Sequence, residues 1–567
     1  MRAANDNPNQ GWALLGLLFL WSLTTFVGLG ARELWNPVEP RYAGLVVEQS
    51  DHGLTSLLRE SGRPYDQKPP LLMWAAAALG ANASQPFGRL LLRLPSAIGS
   101  LIAALMLYAL GARLFGARAA FFGASLWLTS WLPFWSSRFL HLDTAMTAAS
   151  TAMALAVWAR LDARGASRWA WLIVGSAAAA IAIMIKGPLI PLSVACIPLG
   201  VAGLRRDVRV IGRSGIFVML LAGFCLAGIW FHRAWAEAGD AWAHEILVRQ
   251  GLLRLTDSSY DAKHGAFYYF VTLISMTAPW SLMVVMMLLP WTWRRAKSSP
   301  PADREALAVL ALWGAAIFGF LLLGASRRSR YLLPFFPPMC LALAWFLDRE
   351  VWRIESRSRR GLICLAATSL VMILAALVLA VTGFEPRVSY WFTDSPAARS
   401  VFDQLAVAKG LLGYSQLMFL LAIVLSYLLF RRRWRALLIA TIFTVSAVWM
   451  SWGIWGAPAV DQYRGDRKLL ELLQPALDEG RELVVVSRHG NRESTPGWFR
   501  WYTGQWPLIA PEGEPIAAWA QGKAQGRIVV LIAIRDEKRY QASDFVNLRP
   551  LVEGRWGHAR YRILVNP

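Results

Sequence analysis

Asn36-Pro-Val-Glu-Pro-Arg-Tyr42, followed by Pro64-Tyr-Asp-Gln-Lys-Pro-Pro70, lies between two long apolar runs, residues 11–31 and 90–112. Each run reaches the roughly 20 residues needed to cross a hydrocarbon core. The quoted stretch is therefore a loop on one face of a membrane. Charged and aromatic side chains are crowded where a many-pass chain usually keeps only a connector, which makes this loop the first place to look for chemistry.

The composition agrees. The 567 residues are 56% hydrophobic and include 29 Trp, and the mean hydropathy is +0.39, more apolar than a soluble chain of this length requires. Apolar runs recur near 11–31, 90–112, 119–136, 140–160, 169–186, 188–204, 215–236, 266–291, 305–324, 331–347, 361–382, 411–430 and 436–456. The expectation is a mainly α, polytopic membrane protein with about thirteen spans. Leu71 to Ala81 is too short to cross and reads as a re-entrant or interfacial helix. The first apolar run is long and has no small-residue cleavage site, so it reads as a span and not as a signal peptide.

The formal net charge of +22 would point a soluble protein towards nucleic acid, but its distribution argues otherwise. Arg113 and Arg118; Arg160, Arg164 and Arg168; Arg205 to Arg213; Arg294 to Arg304; Arg349 to Arg360; and Arg431 to Arg435 fall in every second loop. That is the positive-inside pattern, not a nucleic-acid patch. It places the N-terminus in the cytoplasm and leaves 32–89, 137–139, 237–265, 325–330 and 383–410 outside, together with the tail from 457.

The tail, 457–567, differs from the membrane part, 1–456. It is polar, with β-branched runs at Leu483-Val-Val-Val-Ser487, 527–534 and Tyr561-Arg-Ile-Leu-Val565 and a helical stretch near Arg467 to Leu477. A small outer α/β domain is expected. Cys196, Cys225, Cys340 and Cys364 all fall in predicted spans and read as apolar packing residues, not as a disulfide framework.

Charges at the outer membrane edge are costly and so mark function. Glu39 and Arg41 open an amphipathic helix running from Tyr42 to about Asp51. Lys68, after Tyr65, Asp66 and Gln67, sits at the head of the short apolar piece, as a snorkelling anchor or a ligand for an anion. Asp143, in Ser137-Arg-Phe-Leu-His-Leu-Asp-Thr144, enters an apolar helix and needs a partner, with Arg138 and His141 the nearest in sequence. Lys186 ends the fifth span. Arg327, Arg328 and Arg330, in Ser326-Arg-Arg-Ser-Arg-Tyr331, break the charge rule on an outer loop, where guanidinium groups suit a phosphate. Carboxylates, lysines, arginines and tyrosines on one face fit transfer from a lipid-linked phosphate donor. The chain has no nucleotide-binding glycine loop.

Six motifs add a resemblance. Pro37-Val-Glu-Pro-Arg-Tyr-Ala43, Tyr65 to Pro69, Leu142-Asp143, Lys186-Gly187, His264-Gly-Ala-Phe-Tyr-Tyr269 and Arg327 to Tyr331 resemble those of the GT-C class of polyprenol-phosphate-dependent membrane glycosyltransferases. The branch is that of the lipid A aminoarabinose transferases and bacterial relatives of the protein O-mannosyltransferases, and the likeness runs to about residue 350. It implies a GT-C fold and a periplasmic active site. Its partners would be an undecaprenyl-phosphate-linked sugar, lipid A or another envelope acceptor, and membrane lipids, with no nucleic acid. Glu39 and Asp143 would be the catalytic carboxylates. Lys68, Arg41, Tyr65, Lys186, Arg327, Arg328, Arg330 and Tyr331 would hold the donor phosphate.

Two positions depart from the family. Val38 stands where the first carboxylate, usually Asp, is found, leaving Glu39 as the nearest replacement to orient or deprotonate the acceptor; Asp143 would position Lys68 or Arg41 or stabilise charge on the sugar. An acceptor phosphate already ionised at neutral pH needs no strong base. Gln67 stands where aminoarabinose transferases carry a Glu that resembles a metal ligand. A divalent metal such as zinc, the one cofactor the resemblance implies, would then rest on His264 and His489, a weak set without the carboxylate.

The expected function is transfer of a sugar from an undecaprenyl-phosphate carrier to lipid A on the outer face of the bacterial inner membrane. The alternatives are protein hydroxyls or another envelope glycan as acceptor and, from a different class, a lipid transporter or flippase, which should carry repeats and midplane charges. A scaffold would leave the outer arginines unexplained.

Overall fold

The computed structural model describes residues 10–35, 38–253, 265, 267–324, 327–353, 359–384, 411–464, 466–486, 495–510, 527–533, 548–556 and 559–566. Among these, seven helices are long and apolar enough to cross a membrane: Gly88–Phe115, Ala166–Lys186, Ile216–Ala238, Pro301–Leu323, Ser329–Trp352, Arg359–Val378 and Trp434–Gly456.

Several of the thirteen expected spans are interrupted, and proline accounts for where. A proline inside a helix removes a backbone donor and collides with the carbonyl four residues earlier. Pro133 lies four residues after Thr129, where helix Ala117–Thr129 gives way to Trp131–Ser137. Pro198 lies four after Val194, between Leu189–Ser193 and Cys196–Arg205. The run at 266–291 is divided into Tyr268–Met276 and Ser281–Leu288, with Pro279 between them. These breaks leave short helices where continuous spans were expected.

Several basic residues read as topology signals are paired with acids. Arg118 and Arg353 both hold Asp348, at 2.5 and 2.8 Å, Arg295 holds Glu350 at 2.7 Å, Arg205 holds Glu305 at 2.6 Å, and Arg349 pairs with Asp303.

The amphipathic loop helix spans Glu39–His52. It begins three residues earlier than the expected start at Tyr42, because a glutamate is favoured at a helix N-terminus and Pro40 is tolerated in the first turn. The short apolar piece is helix Leu71–Ala78. The tail carries helix Asp466–Asp478 and a five-stranded sheet in the order Leu508–Ala510, Glu482–Val486, Ile528–Ala533, Ala559–Val565, Arg549–Trp556. The first three strands are parallel and the last two antiparallel to their neighbours.

Tail and loop share a core. Helix Thr495–Thr503 crosses Glu39–His52, and Trp498 and Phe499 join Leu34, Tyr42, Val46 and Leu469 in one buried cluster. The crossing is close because it is built on glycine: a Cβ on Gly44 would lie 2.6 Å from the Gly497 Cα, and one on Gly497 would lie 2.3 Å from the Pro40 carbonyl oxygen. Polar contacts surround it. Tyr502 donates to Glu33 at 2.5 Å, Trp506 donates to Glu48 at 2.8 Å, and Arg500 pairs with Asp51.

Candidate active site

A helical hairpin sets the first part of the site. Helices Leu142–Asp162 and Ala166–Lys186 are each 21 residues long, about 32 Å at 1.5 Å per residue, and a short connector joins them. The start of the first and the end of the second therefore lie at one level. Asp143 sits in the first turn of one helix and Lys186 in the last turn of the other, each where the helix dipole favours its charge. Gly187, at φ 108° in the left-handed region, ends the second helix. Lys186 donates to Asp143, which is 3% exposed, and His141 Nδ1 is 3.5 Å from the same carboxylate. Lys186 also lies over the Tyr331 ring, 4.4 Å from its centre.

The loop helix adds Arg41 and Tyr42. Arg41 donates to the Gln67 amide oxygen at 2.8 Å and lies 3.5 Å from Glu60. Burial pushes the Tyr42 hydroxyl up to about 12, so it stays a neutral donor. These residues line a cavity of about 580 Å³ whose wall includes Arg41, Lys68, Lys186, Arg328 and Arg330, with Glu39, Asp143 and Tyr331. Counting formal charges, five cations face two carboxylates. Val38 also lines it.

Ten of the eleven site residues expected from sequence are described, and eight of them line this cavity: Glu39, Arg41, Lys68, Asp143, Lys186, Arg328, Arg330 and Tyr331. Tyr65 and Arg327 do not. Tyr65 is buried, and its carbonyl accepts from the Trp242 indole at 2.9 Å. Tyr269, from the expected aromatic run, gives its hydroxyl oxygen to the Arg328 backbone N–H at 3.3 Å.

Two of the expected residues have partners that the sequence did not announce. Glu39, at the cavity wall, is held by two arginines. It is 2% exposed, bonded to Arg93 at 2.7 Å and Arg32 at 2.8 Å, and accepts from the Trp35 and Leu140 backbone N–H groups at 3.3 and 3.4 Å. Burial alone would raise its pKa, but the two guanidinium groups outweigh it and hold the carboxyl at about 2. A base so tightly held in its ionised form is a poor proton acceptor. Arg138 is not the partner of Asp143; it donates to the carbonyls of Thr24, Thr25 and Val27, where the first helix ends.

Sequence reading missed Arg32 and Arg93. Arg93 is fully buried and donates to the carbonyls of Leu29, Arg32 and Glu33. Its signal was present, an arginine just inside an apolar span, which demands a partner. A zinc site does not fit the described residues. Gln67, where the family has its carboxylate, gives its oxygen to Arg41, and among the described residues no three of His, Cys, Asp and Glu are grouped for a metal. His264 and His489 lie outside the described residues.

Residues 67–232 match the dolichyl-phosphate-mannose-protein mannosyltransferase family model. The chain is 27% identical over 356 residues to the undecaprenyl phosphate-alpha-4-amino-4-deoxy-L-arabinose arabinosyl transferase of Pectobacterium carotovorum, covering 61% of this chain and 60% of the relative. It is 28% identical over 348 residues to a second such transferase from Proteus mirabilis, covering 60% of each. The match thus spans 60% of the length of these curated relatives. The structure superposes on that of ArnT from Cupriavidus metallidurans bound to undecaprenyl phosphate with a TM-score of 0.73, at 20% identity and over 98% of both chains. The chain is a multi-pass membrane protein with the GT-C fold, and its resemblance to the aminoarabinose transferases of that class extends from its motifs to its sequence and its fold.

Proposed function

We propose that this chain is an inverting glycosyltransferase that moves one sugar from an undecaprenyl-phosphate-linked donor to a cell-envelope acceptor, lipid A in the first place, at the periplasmic face of the bacterial inner membrane. The observation that carries this reading is the cavity lined by Arg41, Lys68, Lys186, Arg328 and Arg330 together with Asp143. Curated relatives named as arabinosyl transferases using undecaprenyl phosphate support it. The alternation of basic loops supports the orientation, with the N-terminus cytoplasmic and 457–567 an outer domain beside the catalytic membrane part, 1–456.

In the transfer, an acceptor oxygen bonds to the anomeric carbon while the bond from that carbon to the donor phosphate oxygen breaks. The electron pair leaves with the phosphate. Lys68, Arg328, Arg330 and Arg41 offset the charge that develops there. Asp143, anchored by Lys186, is the carboxylate on hand for charge building on the sugar or for orienting an acceptor. Val38 leaves an apolar wall where a base would stand, which suits an acceptor phosphate that is already ionised.

Mass spectrometry of lipid A from cells with and without the protein tests the reading. The expected result is an aminoarabinose mass increment present only with it. Unmodified lipid A in both, with sugar appearing on a protein, would move the acceptor to the hydroxyl class that the mannosyltransferase family model favours.

A further inference from the structure

One wall of the cavity is aromatic, and nothing in the phosphate chemistry uses it. Trp131, Trp135 and Phe139 recur every four residues along helix Trp131–Ser137 and its end, so they share one helix face. All three line the cavity. Trp131 and Trp135 are stacked, with ring centres 5.3 Å apart and planes 23° apart, and Phe139 continues the row 4.8 Å beyond Trp135. The row is fixed from behind. Phe134 stacks on Trp449 at 4.7 Å, and Trp449 donates to the Thr129 carbonyl at 2.8 Å.

The indole N–H groups differ in a telling way. Trp35, Trp280 and Trp449 give theirs to Asp461, Thr129 Oγ1 and the Thr129 carbonyl. Trp131 and Trp135 have no hydrogen-bond partner for theirs among the described residues. A tryptophan at a polar boundary usually finds one, and a hydrocarbon chain packed here would supply none. A sugar ring supplies both things this wall lacks: a face of C–H bonds carrying partial positive charge for the negative ring faces, and hydroxyl oxygens at its rim for the N–H groups.

We infer that Trp131 and Trp135 form the subsite for the sugar ring of the donor in the cavity whose cations hold its phosphate, while Phe139, its ring covered by the Arg32 guanidinium 3.7 Å from its centre, ends the row. The inference rests on the cavity being the site of sugar transfer. It divides donor recognition between two sets of lining residues, one reading charge and the other reading the carbohydrate.

Binding of two probes to the purified full chain in nanodiscs tests it: undecaprenyl phosphate, and the same lipid carrying 4-amino-4-deoxy-L-arabinose. Trp131→Ala and Trp135→Ala are expected to weaken the sugar-bearing lipid roughly three- to tenfold each and to leave undecaprenyl phosphate unchanged. Trp135→Phe, which retains a ring and guards against misfolding, should keep most of the affinity. Equal loss for both lipids would overturn the inference, because the wall would then hold prenyl chain, and so would no loss for either lipid in Trp131→Ala or Trp135→Ala. Wild-type protein that bound neither lipid would instead overturn the transferase reading, and the inference with it.

Discussion

Lys186 donates a hydrogen bond to Asp143 across the open end of a helical hairpin, 43 residues away in the chain. Each group neutralises a charge the other could not carry alone in so buried a place. Asp143→Asn keeps the shape and removes the countercharge. It should lower kcat/KM roughly 10²- to 10⁴-fold if the carboxylate meets the reacting groups, and donor affinity should fall as well, since Lys186 loses its anchor. The double variant Asp143→Asn/Lys186→Met should be less impaired than the product of the single effects, a coupling that steady-state kinetics on the purified proteins would measure.

Glu39 should behave as a structural residue. Glu39→Gln leaves the Arg32 and Arg93 guanidinium groups without their countercharge, a loss of about 3–5 kcal/mol by analogy with other buried pairs. Thermal unfolding should register it, while the molecules that remain folded turn over at near-normal rate. The pH dependence has a definite sign. The folded carboxyl sits at about 2 against an ordinary 4.5, so its contribution is complete above the unfolded value and disappears as pH falls towards 2. A large kcat loss in fully folded Glu39→Gln would restore it as the acceptor's base.

Asp461 shifts the other way. Burial raises its carboxyl to about 6 from 3.8, against the hydrogen bonds it accepts from the Trp35 indole and the Glu33 backbone. Between about pH 4 and 6 the folded state binds more protons than the unfolded one, so this group's contribution to stability falls as pH rises through that window. Asp461→Asn should flatten that part of the stability profile, as read by unfolding midpoints from pH 4 to 7.

The contact of Gly44 with Gly497 offers a test of how the tail acts on the cavity. Gly497→Ala puts a methyl group 2.3 Å from the Pro40 carbonyl oxygen, one residue before Arg41. The helices must part, and Arg41 shifts with them. Weaker donor binding is expected with the membrane helices intact, together with faster proteolytic cutting in the tail. Gly480→Ala provides a control in the same region, where an added methyl meets open space, although its backbone is strained at φ 75°.

What could be read from the residues alone followed how far each signal reaches along the chain. Lys186 and Asp143 were each legible because a charge ending an apolar run is conspicuous, but their pairing was not, since it is made by the hairpin and not by neighbours in sequence such as Arg138. Arg328 and Arg330 stood out by violating the charge alternation of the loops. The pairing of Glu39 was not legible because its partner Arg93 lies 54 residues on, inside a run read only for hydropathy. The interrupted spans were written in Pro133, Pro198 and Pro279, which a hydropathy window averages away. The aromatic row at Trp131, Trp135 and Phe139 has helical spacing, yet on sequence alone it is indistinguishable from the packing face of a span.

The loop bearing Arg41 is held by residues made long after it. Glu33 and Trp35 are gripped by Asp461 and Tyr502, separated from them by 426 to 469 positions. At about 5–20 residues per second, a ribosome needs roughly 20 to 90 s to span that distance. Throughout that interval the growing polypeptide has its early helices but not the clamp that fixes Glu33 and Trp35, and with them the start of the helix bearing Arg41.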